Sequence, residues 1–235
     1  MRKSYKFQIL DGTMLKIIAM ISMVFDHVGD LFFPEATWMR IIGRLAMPIF
    51  SFCVAEGYHY TRDKNKYLRR LSVFALISEV PFDLAFSGKV GTEHQNIMLT
   101  FFIAVLALMI YDAITGGAGP FANMKKTLRT VLGTVAVLLM SILALILKAD
   151  YTVFAVLGVF IFHVLRNRPY PIPQAGGVAF LAATRTVGIY AYTGLSLIPL
   201  LLYNGKKGKG LKWLFYLFYP GHLLLIFIIK LIVRK

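Results

Sequence analysis

The chain of 235 residues is 58% hydrophobic and 16% charged, and its mean hydropathy of +0.69 excludes an ordinary soluble domain of this size. Its net charge of +15 at pH 7 is distributed in short basic clusters between apolar runs, which argues against a nucleic-acid-binding face. We therefore expect a single integral membrane domain over residues 1–235, with the lipid bilayer around it and no nucleic-acid partner.

In chain order, the apolar runs predict an all-α fold, a polytopic transmembrane helix bundle of about eight or nine helices. A helix needs about 20 apolar residues to cross roughly 30 Å of hydrocarbon. The predicted spans are residues 13–32, 39–58, 69–87, 96–114, 128–147, 151–166, 174–190, 193–203 and 212–233. The first span follows a basic start, but its length, its Asp26 and His27 and its lack of a small-residue cleavage site predict that it is retained.

The stretch 174–203 permits two interpretations. It contains Gly176, Gly177, Gly188, Gly194 and Pro199. Glycine and proline at membrane depth are tolerated where surrounding protein satisfies the backbone. Either two crossings or one broken, re-entrant element therefore fits this stretch.

The basic residues predict the orientation of the chain. Most of the 26 Lys and Arg residues lie before the first span or after the second, fourth, sixth and eighth spans. Cytoplasmic loops carry such an excess. We therefore expect a multi-pass protein of the plasma membrane, the inner membrane of a bacterium, with a cytoplasmic amino terminus and an external carboxy terminus.

Two polar residues share one face of the first helix. Lys16 and His27 are eleven residues apart, which places them within about 20° of the same face and about 16 Å apart along the axis. Asp26 lies about 100° around the helix, so it orients His27 only from another rotamer or an adjacent turn. Lys16 either binds a ligand or extends to the interface, and His27 is either functional or a packing residue.

The second and third helices carry further charges. Pro48 removes the hydrogen bond to the carbonyl of Arg44, which predicts a kink or a small polar gap. Glu79 and Asp83 lie four residues apart on one face and need internal partners. The candidate counter-ions are Arg44, Lys16 and Arg185, and both a structural ion-pair network and a chemical role fit the two carboxylates.

Later polar residues are expected to cap helices or to anchor them at the membrane interface. His94 and Asn96 precede the fourth span, Asp150 and Tyr151 open the sixth, and His222 lies in the last. Cys53, the one cysteine, is expected to be a small buried residue. The sequence has no paired His and Cys spacing of a metal site, so we expect no metal.

An ordered set of motifs covers nearly the whole chain. It comprises Lys16-x10-His27, Gly43-Arg44-Leu45-Ala46-Met47-Pro48-Ile49-Phe50-Ser51-Phe52, the segment from Arg69-Arg70 to Glu79-Val80-Pro81-Phe82-Asp83, Asn96, Asp150-Tyr151, and Tyr216-Leu217-Phe218-Tyr219-Pro220-Gly221-His222-Leu223. In this set the chain resembles the TraX family. The resemblance implies a protein similar to the one that acetylates the amino terminus of F pilin, distantly related to membrane acyltransferases that acetylate surface sugars. Lys16 stands where many of those relatives have arginine.

The residues suit acyl transfer. Transfer from a thioester to an amine or hydroxyl needs a general base, for which His27, with Asp26 beside it, is the candidate. Binding of the coenzyme A phosphates needs cations, and the candidates are Lys16, Arg44, Arg69 and Arg70. Either Arg44 or Asn96 is expected to stabilise the oxyanion. The expected supporting polar network consists of Glu56, Glu79, Asp83, Asn96, Asp150, Tyr151 and His222.

The leading hypothesis is a membrane acyltransferase that passes acetyl from cytoplasmic acetyl-CoA to a pilin-like amino terminus or a cell-surface glycan. Two alternatives stay open. Glu79, Asp83 and His27 also suit the proton relay of a transporter or export factor. A pilus-assembly protein without enzymatic activity is the other.

Overall fold

The computed structural model describes residues 5–91, 93–184 and 188–233, which form an α-helical bundle without a β-strand. The helices are α1 Gly12–Phe32, α2 Thr37–Gly43, α3 Ala46–Tyr60, α4 Lys64–Phe86, α5 Ile97–Gly116, α6 Lys126–Ile146, α7 Thr152–Leu165, α8 Ile172–Ala183, α9 Leu197–Leu201 and α10 Lys212–Val233. Short 3-10 helices cover Gly119–Phe121 and Gly188–Ser196. Helices α2 and α3 form one bent segment, so nine helical segments build the described part of the chain. The predicted all-α bundle is confirmed.

Several segments have the length and composition of membrane spans. Within the described residues these are Thr37–Tyr60, Ile97–Gly116, Lys126–Ile146 and Trp213–Val233. Helix α6 shows the outer surface of the bundle most clearly, because Leu139 is 61% and Ile146 is 69% exposed. A helix this apolar and this poorly covered by protein needs lipid around it. The protein is therefore a membrane protein.

The basic loops meet at one end of the bundle. The backbone N–H of Gly12 donates to the carbonyl of Lys206 at 2.8 Å, and the Tyr60 hydroxyl lies 3.4 Å from the carbonyl of Gly205. We call this end, formed by residues 5–16, 58–70, 163–170 and 201–211, the basic end. The segregation is what the positive-inside pattern predicts.

The described residues 172–184 and 188–201 form short elements that begin and end at the basic end, and we call them the hairpin. The Tyr170 hydroxyl, just before α8, donates to the carbonyl of Leu201, at the end of α9, at 3.3 Å. Helix α8 has 12 residues and is about 18 Å long, too short for a complete crossing. The broken-element interpretation of 174–203 is therefore the correct one. Because the hairpin returns to its own end, α10 runs parallel to α1.

The predicted kink in the second span is confirmed. Helix α2 ends at Gly43 and α3 begins at Ala46. Pro48 lacks the N–H that would bond the carbonyl of Arg44, so the turn before it opens. The bend brings the Arg44 side chain towards α1.

Helices α5 and α7 begin inside the bundle and not at its surface. The N–H of Asp150 donates to the carbonyl of Gln95 at 2.9 Å, and the Thr100 hydroxyl donates to the carbonyl of Asp150 at 2.7 Å. Tyr151 has a φ of 55°, in the left-handed region that non-glycine residues rarely adopt. These two inward turns place Asp150 and Tyr151 beside α1.

Candidate functional site

A cavity of about 60 Å³ lies between α1, α3, α5 and α10. Most of its wall is aromatic or methionine, and it also includes acidic, imidazole and phenol groups. The apolar lining includes Met23, Met47, Phe50, Met98, Phe101, Phe215 and Phe218, and the polar lining consists of Asp26, His27, Asp150, Tyr151 and Tyr219. The cavity accommodates a small group such as a short acyl chain, and a nucleotide would have to stay outside.

His27 enters this cavity as one half of a pair of imidazoles. Its Nδ1 lies 3.0 Å from Nε2 of His222, a residue 195 positions away, and the planes of the two rings differ by 14°, with centroids 5.2 Å apart. The ring of Phe218 stacks on that of His222, with centroids 4.7 Å apart. Phe86 meets His27 edge-on at 5.1 Å. Helices α1 and α10 are thus joined at the site through polar side chains.

The Asp26 carboxylate contacts an arginine of the neighbouring helical segment and not His27. Nη2 of Arg44 donates to its carboxylate, and Nη1 of Arg40 donates to its backbone carbonyl at 3.1 Å. A Cβ on Gly43 would come within 2.4 Å of the same carboxylate, so the absence of a side chain there permits the pair. Asp26 does not orient His27 from another rotamer, because its carboxylate is bonded by Arg44. His222 occupies the orienting position.

Arg44 is buried, so its side chain does not extend to the membrane interface. The residue is 5% exposed, and its Nε donates to the carbonyl of Arg40 at 3.3 Å. It borders a second, smaller cavity under the hairpin, together with Pro48, Thr184 and Thr193. Its assignment to coenzyme binding stays a prediction.

Asn96 is a structural residue at the start of α5. Its Nδ2 donates to the carbonyl of Ala75 at 2.8 Å and also to the Glu79 carboxylate, and its Oδ1 accepts from the N–H of Met98 at 3.0 Å. An amide has only two donor hydrogens, and both are used here. The expectation that Asn96 stabilises an oxyanion is therefore wrong.

The carboxylates of α4 do not pair with the predicted cations. Glu79 is bonded by Asn96, and Oδ2 of Asp83 accepts from the N–H of Gly91 at 2.9 Å. Of the expected counter-ions, Arg44 bonds Asp26, Lys16 lies over Phe215, and Arg185 lies outside the described residues. An amide and a backbone N–H thus perform the role predicted for ion pairs.

The predicted cations Lys16 and Arg70 flank the start of α10. Nζ of Lys16 lies 4.9 Å from the ring centre of Phe215, which also lines the cavity. The side chain of Arg70 lies close to the next residue, Tyr216. Arg69 is exposed on the neighbouring turn. These cations therefore lie on the side of the cavity that faces the basic end. Phe215, which lines the cavity, is also the residue that Lys16 contacts.

Glu56 belongs to a polar cluster at the basic end, away from the cavity. Its carboxylate accepts from Nε of Arg166 at 3.1 Å and from the Tyr203 hydroxyl at 3.2 Å. Nearby, the carboxylate of Asp112 contacts the Tyr58 hydroxyl at 2.8 Å and Nε2 of His163 at 2.9 Å. The sequence analysis missed Asp112 and His163, although an acidic residue inside an apolar run is itself a signal.

No group of three or more histidine, cysteine or acidic side chains in the described ranges is arranged to hold a metal ion. The described polar residues of the cavity are instead suited to proton transfer and hydrogen bonding. Asp150 contributes a carboxylate that accepts from the N–H of Tyr151 at 2.9 Å, so the inward turn before α7 is held by its own side chain.

Comparison with known proteins decides the family. The family model described as TraX protein matches residues 11–230, which include the whole bundle from α1 to most of α10. The chain belongs to the TraX family. This TraX family member is 30% identical over 244 residues to a protein of Dichelobacter nodosus described as "Probable fimbrial assembly protein FimC, serogroup H1", an alignment covering 90% of the chain and 92% of that protein.

A second relative of this TraX family member is an uncharacterized protein of Rickettsia prowazekii (strain Madrid E). It is 37% identical over 90 residues, which is 38% of the chain and 33% of that protein. No solved structure matches the chain.

Proposed function

We propose that this TraX family member is an inner-membrane acyltransferase that moves an acetyl group from acetyl-CoA at the basic end to an acceptor that enters from the other side. The observation that carries the proposal is the position of His27. Its imidazole lines a small, largely apolar cavity and is held by a second imidazole, the setting that a general base needs. We take the basic end to be cytoplasmic, because it carries the excess of Lys and Arg.

The donor would approach along the shared face of α1. Lys16, Arg70 and the exposed Arg69 would bind the coenzyme phosphates. The axial distance of about 16 Å from Lys16 to His27 is comparable to the reach of an extended pantetheine arm. The thioester then lies in the cavity while the nucleotide stays at the basic end.

The proposed chemistry is direct acyl transfer. Nε2 of His27 accepts the proton of the acceptor amine or hydroxyl as its nitrogen or oxygen attacks the thioester carbonyl carbon. The resulting tetrahedral oxyanion collapses, the C–S bond breaks, and the coenzyme A thiolate leaves and takes the proton from the imidazolium. The products are the acetylated acceptor and coenzyme A.

Tyr219 is the proposed donor to the oxyanion. It lines the cavity beside His27, and its hydroxyl lies close to Ile97 at the start of α5 and to the Asp150 carboxylate. Its O–H would donate to the oxyanion, and a positioned donor is typically worth about 10²- to 10³-fold in turnover. Tyr219 replaces Asn96 in this role because both amide hydrogens of Asn96 are used.

The description of the Dichelobacter relative as a fimbrial assembly protein favours a protein acceptor, such as a pilin-like amino terminus, over a glycan. The deciding experiment uses the full chain in lipid nanodiscs with labelled acetyl-CoA and a pilin-like peptide with a free amino terminus. The same peptide with a blocked amino terminus is the matched control, and a surface glycan is the second acceptor.

Label on the free peptide, with stoichiometric release of coenzyme A, supports the proposal. Substrate-driven proton flux in liposomes without transfer to any acceptor would identify a transporter, for which Glu79, Asp83 and His27 would be the relay. The absence of both activities would favour an assembly partner without enzymatic activity.

A further inference from the structure

We propose that His222 is a positioning residue that fixes which nitrogen of His27 carries the proton. It would keep the lone pair of His27 on Nε2, directed to the acceptor, and the proton on Nδ1. The inference rests on the proposed function for its catalytic meaning, but the proton position can be measured without any reaction.

The Phe218 carbonyl determines which nitrogen of His222 carries a hydrogen. Nδ1 of His222 lies 2.9 Å from the carbonyl oxygen of Phe218, one helical turn earlier. A carbonyl oxygen only accepts, so Nδ1 of His222 must carry a hydrogen and donate it. In a neutral imidazole the other nitrogen then has a lone pair, and Nε2 of His222 is therefore an acceptor.

The accepting nitrogen of His222 in turn determines the tautomer of His27. Its Nδ1 lies 3.0 Å from the accepting Nε2 of His222, so Nδ1 of His27 is the donor. The lone pair of neutral His27 is consequently on Nε2. The chain from the carbonyl of Phe218 through His222 to His27 thus specifies one tautomer of the base.

Packing holds the second imidazole in the required rotamer. His222 is 8% exposed and lies parallel to the ring of Phe218, with an interplanar angle of 6°. The ring of Tyr219 lies 5.6 Å away at its side. A ring fixed in this way loses little freedom when it accepts from His27, so the hydrogen bond forms at low entropic cost.

The contact also responds to the charge that develops during reaction. When Nε2 of His27 takes the acceptor proton, the ring becomes a cation and its Nδ1–H a stronger donor. Hydrogen bonds from charged donors are roughly twice as strong as neutral ones, so the bond to His222 strengthens as the transition state is approached. A neutral imidazole thus orients the base, a task that a carboxylate performs in hydrolytic triads.

Two substitutions of His222 separate positioning from packing. His222→Gln keeps a carbonyl oxygen able to accept from Nδ1 of His27, whereas His222→Phe fills the space with a ring that accepts nothing. His94→Gln changes an exposed histidine and is the matched control. The readouts are kcat and KM for acetyl-CoA, and ¹⁵N NMR of the His27 ring in lipid nanodiscs without substrate.

We expect the NMR spectrum of the wild-type protein to show the proton on Nδ1 of His27. His222→Phe should shift the proton partly to Nε2 and lower kcat by about 10- to 10³-fold with little change in KM, and His222→Gln should restore the tautomer and most of kcat. A wild-type proton on Nε2, or equal kcat for wild type and a folded His222→Phe, would overturn the inference.

If His222→Phe does not fold, the wild-type NMR spectrum and the tautomer and kcat of His222→Gln still test the inference. A spectrum with the proton on Nδ1, together with no transfer to any acceptor, would retain the tautomer assignment and reject the proposed function.

Discussion

Arg44 and Asp26 form a buried ion pair between the bend of the α2–α3 segment and helix α1. Arg40 adds a second cation, with Nη1 3.6 Å from the Asp26 carboxylate and 2.8 Å from that of Asp30. Removal of one partner from a buried pair leaves the other charge uncompensated. The pair therefore fixes the position of α1, and with it His27, relative to the bend between α2 and α3.

Asp26→Asn should lower the free energy of unfolding by about 3–5 kcal/mol, because the Arg44 guanidinium would lose its carboxylate. Denaturant unfolding in detergent measures the effect. Asp30→Asn is the control: the Asp30 side chain is 44% exposed, and its pair with Arg40 should contribute no more than about 1 kcal/mol. A stable Asp26→Asn protein without transfer activity would instead restore the direct catalytic role predicted from the sequence.

Gly43→Ala should disturb the same pair through sterics alone. The new Cβ would meet the Asp26 carboxylate at 2.4 Å, and both groups belong to packed helices. We expect a loss of about 1–3 kcal/mol in unfolding free energy together with reduced turnover. Gly221→Ala, beside His222 on α10, meets no atom within 4 Å and should be neutral or slightly stabilising. Equal stabilities of the two variants would show that Asp26 does not lie against Gly43.

The topology can be tested with single cysteines, because Cys53, the only native one, is buried and should label slowly. Cysteines placed at Lys66 and Lys206 should react only from the cytoplasm, and those at Glu35 and Lys89 only from outside. A reporter fused to the carboxy terminus should also lie outside, since the 172–201 hairpin returns to the basic end. Cytoplasmic labelling at Lys89 would contradict both the orientation and the number of crossings.

Lys16→Ala should weaken coenzyme A binding about 10-fold or more, with a smaller effect on the chemical step, because one charged contact to a phosphate is lost about 16 Å from the base. Calorimetry with coenzyme A and the wild-type and variant proteins gives the two values of Kd. Lys66→Ala removes a lysine whose side chain is 68% exposed and should leave Kd unchanged. If both lysine variants lost affinity equally, general surface charge and not a site at Lys16 would bind the donor.

Local patterns predicted much of the fold and part of the site. Outside 174–203, the apolar runs located the helices to within about five residues, and Pro48 located the bend. The shared face of Lys16 and His27 follows from helical periodicity alone, and the structure places both residues around the cavity and its basic-end wall. The glycines of 174–203 correctly raised the possibility of a broken element.

Contacts between segments that are distant in the chain could not be predicted from the sequence. His222 is 195 residues from His27, and no periodicity links α10 to α1. Helical periodicity left open whether Asp26 reaches His27 from another rotamer, and it could not show that Arg44, on the next helical segment, bonds the Asp26 carboxylate. The inward turns before Asn96 and Asp150 depend on backbone pairing between residues 95 and 149, which a reading of each span alone does not predict.

The central claim is that His27 is the general base, and turnover of His27→Ala in the full-length protein tests it most directly. A general base contributes typically about 10²- to 10⁴-fold, so kcat should fall within that range while the Kd for coenzyme A stays close to the wild-type value. His94→Ala, a change at an exposed histidine, should keep full activity. Full acyl transfer by a normally folded His27→Ala protein would contradict the mechanism and leave His27 a packing residue between α1 and α10.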